Sequence, residues 1–136
     1  MLLVEDEADD IELIRRSLEH TKLHCDLRVA QTLAEGRKEV FDADGTPELV
    51  LLDLGLPDGD GADLLKEIKQ SAKHAQIPVV IVSASDDEDR VRAAYDQQAA
   101  CFVSKDLGFA DLGEIVRSIG EFWLAVVRLP DVDSSA

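Results

Sequence analysis

Apolar positions along this chain follow two alternating rhythms. Leu2-Leu3-Val4 is a short unbroken apolar run, which reads as a buried strand. Ile11, Ile14 and Leu18 then fall at helical spacing through the charged stretch from Ala8 to Glu19. Asp26 to Ala30 reads as a second strand. Thr32 with Glu35 three residues on has the form of a capping box, opening a helix expected to run to about Phe41. A loop follows over Asp42 to Pro47. Leu49-Val50-Leu51-Leu52 is the pattern of a central parallel strand covered on both faces.

Pro57 to Gly61 reads as a turn, and Ala62 to Ser71 as a helix turning Leu64, Leu65 and Ile68 inward. Val79 to Val82 is the next buried strand. A helix is expected over Asp86 to Gln97 with Val91, Ala94 and Tyr95 inward, then a strand at Cys101-Phe102-Val103. The last helix runs from Leu107 to about Val127, with Leu112, Ile115, Val116, Ile119 and Trp123 on one face. Five strands alternating with five helices predict an α/β domain with a parallel sheet and right-handed crossovers.

The chain's 136 residues suit one domain with one core. Fourteen basic against 29 acidic residues give a net charge of −15, which excludes a general nucleic-acid-binding surface. No apolar run reaches the roughly 18 residues of a membrane span. The start, Met1-Leu2-Leu3-Val4-Glu5-Asp6, lacks the form of a signal peptide, so a cytoplasmic protein is expected. Cys25 and Cys101 make no metal motif with His20, His24 and His74, which are read as surface histidines.

Ligands of such sheets bind beyond the carboxyl ends of the strands. Strand one ends in Glu5-Asp6, strand three in Asp53, strand four in Ser83, and strand five just before Lys105. Several carboxylates in one cleft raise each other's pKa unless a hard cation or a lysine relieves them. Mg²⁺ needs only one or two carboxylates. Asp6 and Asp53 are candidate direct ligands, the backbone carbonyl of Gly55 a further one, and Glu5 a ligand through water. Asp53 is also a candidate nucleophile, forming an aspartyl-phosphate whose charge Lys105 and the Ser83 hydroxyl would stabilise.

These residues resemble the receiver domain of two-component response regulators. The likeness rests on Leu3-Val4-Glu5-Asp6, on Asp53-Leu54-Gly55-Leu56-Pro57-Asp58-Gly59-Asp60-Gly61, on Pro78 to Ala84, and on Phe102-Val103-Ser104-Lys105. The resemblance implies a doubly wound, flavodoxin-like sheet in strand order 2-1-3-4-5. It then places Cys25 and Cys101 on opposite edge strands, too far apart to bond within one chain. It implies a histidine kinase as phosphoryl source, Mg²⁺ as cofactor, and Asp53 as phosphoacceptor rather than the nucleophile of a turnover enzyme. Phosphorylation from small donors and autodephosphorylation are expected with it. It also implies a switch in which Ser83 is drawn to the phosphoryl group and Phe102 turns inward.

In one respect the sequence departs from the family: Lys105 is followed by Asp106 where receivers usually carry proline after a cis peptide. Phe122 to Val127 are six consecutive apolar residues, more than one helix face buries. That tail, with the proline-less lysine, resembles the single-domain regulators that partner bacterial phytochromes and implies a homodimer through Phe122, Trp123, Leu124 and Val127. Residues 1–130 are expected to form the receiver with its extension and 131–136 a polar tail, without an output domain, nucleic-acid partner or membrane partner.

The alternatives are a chemotaxis-type receiver, a receiver-like module that takes no phosphate, a haloacid-dehalogenase-type phosphatase, and a flavodoxin. Gly55 stands where that phosphatase needs a second aspartate. Glu5-Asp6-Glu7 would repel the phosphate of a flavin.

Overall fold

The computed structural model describes residues 1–19, 26–42, 46–84, 88–105 and 109–123. Its main sheet contains β1 (Leu2–Val4), β2 (Arg28–Ala30), β3 (Val50–Leu52), β6 (Val79–Ser83) and β7 (Cys101–Ser104). These run parallel in the order β2-β1-β3-β6-β7, the doubly wound order expected when the sheet strands alone are numbered. A separate two-stranded hairpin, β4 (Gly55–Leu56) with β5 (Gly59–Asp60), occupies part of the segment read as a turn. The helices are α1 (Ala8–Glu19), α2 (Leu33–Arg37), α3 (Gly61–Gln70), α4 (Glu88–Asp96) and α5 (Phe109–Glu121). No described helix is long and apolar enough to cross a membrane.

Alternation along the strands divides the core in two. Leu2, Val4, Val50, Leu52 and Ile81 face α2 and α3, meeting Leu33, Leu64, Leu65 and Ile68. Leu3, Leu51, Val80, Val82 and Val103 face α1 and α5, meeting Ile11, Ile14, Leu18, Leu112 and Val116. Each such large side chain taken out of water contributes about 1.5–3 kcal/mol, so the central strands hold the register firmly. Val4 lies opposite Leu52, and Leu52 opposite Ile81. The residues that follow Val4 and Leu52 are therefore neighbours.

The start of α2 is capped as the sequence predicts, with one shift. The Glu35 N–H donates to Thr32 Oγ1 at 3.0 Å. The Glu35 carboxylate accepts from the Gln31 N–H at 2.8 Å, one residue earlier than in a capping box. Asp58, in the turn of the hairpin, accepts from the Leu33 and Ala34 N–H groups at 2.7 and 3.0 Å, which lowers its pKa. α2 then loosens into a π-helical turn over Lys38–Asp42, which the apolar pattern does not signal.

Two sequence expectations are corrected. His74 is buried, not a surface group: its Nδ1 lies 2.7 Å from Ser71 Oγ and its ring meets Phe41 edge to face. Burial, with Lys73 nearby, lowers its pKa. Polar sequence neighbours concealed it because the turn after α3 folds this one side chain under Phe41. Tyr95 is 49% exposed rather than inward. It lies beside edge strand β7, where its hydroxyl accepts the Phe102 N–H at 3.1 Å; α4 buries Ala94 instead. His20, His24 and Cys25 lie outside the described residues, as do the expected first residues of the last two helices, Asp86 and Leu107.

α4 ends in a Schellman turn, with the Ala99 N–H donating to the Ala94 carbonyl at 3.0 Å and the Gln98 N–H to that of Tyr95 at 2.9 Å. Gln98 takes the left-handed conformation, φ 70°, that glycine fills at lower cost. Gln98→Gly should therefore stabilise the protein by about 1 kcal/mol, read as a higher urea midpoint with unchanged slope. A lower midpoint would show that the Gln98 side chain outweighs its backbone strain.

Candidate functional site

The strand register assembles the site. The Glu5 N–H donates to the Ala30 carbonyl and the Asp53 N–H to that of Val4, both at 2.9 Å, so the ladders hold both acids at the carboxyl edge of the sheet. Ser83 ends β6 opposite Ser104, and Lys105 follows directly. A cleft of about 810 Å³ opens there, lined by Asp6, Asp10, Asp53, Gly55, Ser83 and Lys105 among others. All the expected site residues at the strand ends are thus brought together: Glu5 is buried beneath the cleft and the rest line it.

Lys105 organises the charges. Its Nζ lies 2.5 Å from Glu5 Oε1, 2.9 Å from Asp10 Oδ2 and 3.4 Å from Asp53 Oδ2. Burial alone would lower its pKa, but the hydrogen bonds to Glu5 and Asp10 more than offset this and hold it above the usual lysine value. Glu5 is 1% exposed and its carboxyl is pushed up to about 7. Desolvation is the largest cause, with Asp53 adding to it and Lys105 opposing it. Glu5 Oε2 accepts from the Asp6 and Glu7 N–H groups at 3.1 and 3.3 Å.

Asp53 is 6% exposed, and its Oδ1 accepts from the Gly55 N–H at 3.2 Å. One carboxylate oxygen from each of Glu5, Asp6 and Asp53 lies within 4.8 Å of the others. One ammonium faces three carboxylates, Glu5, Asp10 and Asp53, and Asp6 adds a fourth beside them, so negative charge is in excess. Hard oxygen donors with uncompensated charge are what a small divalent cation requires. This donor set therefore fits such an ion, with exposed Asp6 and the mouth-facing Asp53 the more available and Glu5 already held by Lys105.

Phe102 is half-buried against the core on the α2–α3 face, opposite Ile81 on the adjacent strand. Phe122 is 51% exposed at the end of α5, edge to face with Trp123, which packs against the α1–α5 core. Leu124, Val127 and the Lys105–Asp106 peptide lie outside the described residues. Asp10 was not singled out from the sequence, where it appears as one more charge on an amphipathic helix. The available signal is its place in the first turn of the helix that follows Glu5-Asp6, over the same edge of the sheet. The sequence pattern marks Asp60 only as part of a turn, yet it caps α3, accepting from the Ala62 N–H at 2.9 Å.

The family model described as response regulator receiver domain matches residues 1–117. Response regulator Rcp1 of Synechocystis sp. is 35% identical over 136 residues, spanning 96% of this chain and 92% of that one. The crystal structure of the phosphorylated cyanobacterial phytochrome response regulator RcpA superposes with a TM-score of 0.89 at 34% identity, covering 96% of each chain. The Mn²⁺-bound form of Rcp1 gives the same TM-score and identity, over 96% of this chain and 97% of that one.

Gly61 locks the loop that carries the site. Its N–H donates to the Leu54 carbonyl at 2.8 Å, and a Cβ there would lie 2.2 Å from the Asp53 carbonyl oxygen and 3.0 Å from Leu54 Cα. Backbone must therefore shift to admit any side chain. Gly61→Ala should destabilise the protein by about 2–3 kcal/mol, measured by urea unfolding. A wild-type midpoint would show that the loop yields freely.

Proposed function

The chain belongs to the response regulator receiver family, and from that premise we propose that it accepts a phosphoryl group on Asp53 from a histidine kinase of the phytochrome type. The observation that carries this reading is Asp53 itself, nearly buried at the end of the central strand, beside Asp6 and Glu5 and 3.4 Å from Lys105. The relatives named as phytochrome response regulators support the choice of kinase.

In the transfer, an Asp53 carboxylate oxygen forms the new O–P bond. The P–N bond to the donor imidazole breaks, and its electron pair stays with the imidazole, which takes a proton. Lys105 sits where it can turn from Glu5 and Asp10 toward a phosphoryl oxygen. The Ser83 hydroxyl lines the same cleft and would donate to another phosphoryl oxygen. Mg²⁺, held by Asp6, Asp53 and the Gly55 carbonyl with Glu5 through water, would neutralise charge on the phosphoryl oxygens. A Ser83 displacement then draws Phe102 inward from its half-buried position. Small acyl phosphates would serve as donors too, and water would return Asp53 to its free state.

The protein acts through protein contacts, as a dimer joined by the last helix and its apolar extension. Exposed Phe122 beside Trp123 supports this surface. Phe122→Asp should shift the chain to a monomer in sedimentation; an unchanged dimer would move the interface elsewhere.

Incubation with acetyl phosphate and Mg²⁺ should add one phosphoryl group to the intact mass, with no addition in Asp53→Asn or when the metal is chelated. Wild type that gains nothing would refute the reading. A gain retained in Asp53→Asn would move the acceptor to another residue.

A further inference from the structure

Resting on the phosphoacceptor reading, a question remains of how a dianionic donor enters a cleft lined by five carboxylates: Asp6, Glu7, Asp10, Asp53 and Asp60. Lys105 is poorly placed to draw it in. An ammonium has three N–H donors, and Lys105 Nζ already faces three carboxylates with its side chain only 10% exposed. Arg90, in the first turn of α4, is the other cation among the described residues lining the cleft.

Arg90 has donors to spare. A guanidinium carries five N–H groups in a planar fork that matches phosphate oxygens. Its Nη2 donates to Asp60 Oδ1 at 3.1 Å, and that oxygen is shared with the Ala62 N–H. Its Nε is buried and has no hydrogen-bond partner. The side chain is 37% exposed, and that of Asp60 45%, so the pair sits at the rim of the cleft rather than in its floor. With the Nε covered, it is the Nη N–H groups of the partly exposed fork that an incoming oxygen can meet.

We propose that Arg90 is the anion-recruiting residue of this cleft, binding the phosphoryl oxygens of small acyl phosphates before transfer to Asp53. Asp60 acts as its resting partner: it holds the fork at the rim and competes with the donor for it. Capture is therefore set by a single weak, solvent-exposed ion pair.

The test compares wild type, Arg90→Gln, Arg90→Lys and Asp60→Asn, the last keeping an α3 cap while freeing Arg90. The readouts are the second-order rate constant for acetyl phosphate at saturating Mg²⁺, and binding of its non-transferable analogue acetonylphosphonate by NMR titration. Arg90→Gln should lower both about tenfold, Arg90→Lys should lie between, and Asp60→Asn should equal or exceed wild type. The wild-type rate should also fall with added salt more steeply than that of Arg90→Gln.

Equal rates and equal analogue binding in wild type and Arg90→Gln would overturn the proposal. So would matching losses in Arg90→Gln and Asp60→Asn, which would make the pair a structural strap between α3 and α4. A wild type that takes no phosphoryl group would instead refute the phosphoacceptor reading, and this proposal with it.

Discussion

The contacts of Lys105 with Glu5, Asp10 and Asp53 are the constraint on which the site depends. Two of those carboxylates are almost wholly withdrawn from water. Isolated charges so placed cost several kcal/mol each, and removing one partner of such a group typically costs about 3–5 kcal/mol. The ammonium makes the cluster tolerable without neutralising it. Burial, with the adjacent Asp53 adding to it, leaves Glu5 raised toward neutral pH, and an added cation would relieve the repulsion between the two carboxylates.

That cluster can form only because several kinds of local structure converge. Parallel ladders set Glu5 and Asp53 side by side. The β4–β5 hairpin returns the chain so that Gly61 touches the Asp53 backbone, where no side chain fits. Asp58 ties the hairpin turn to the first amides of α2, and Asp60 caps α3 from its end. The loop bearing the candidate acceptor is thus fastened to two helices and a strand. Precision here comes from hydrogen bonds in which backbone N–H groups are the donors.

The fold was largely legible in the sequence because its two core clusters are written as local rhythm. Val79 to Val82, an unbroken β-branched run, reads as a strand covered on both faces, and α1 carries its inward stripe at helical spacing. The strand-end acids, Ser83 and Lys105 were legible for the same reason: once the strands are found, the topology collects their carboxyl ends. The hairpin at 55–60 and the π-helical end of α2 were not, since neither has an apolar period of its own.

Residue order alone therefore determined the class of fold, the order of elements and the chemical content of one sheet edge. Tertiary structure alone decided which polar groups answer one another. Asp10 reaches Lys105 across 95 positions because the first turn of α1 lies over the carboxyl edge of the sheet, where β7 ends. His74 is buried by Phe41, Tyr95 is kept outside to cap an edge strand, and Arg90 is brought to the rim beside Asp60. Burial of apolar groups follows a period of a few residues and leaves its mark locally. The pairing of polar groups depends on distances between segments remote in sequence, and those exist only after the helices have docked.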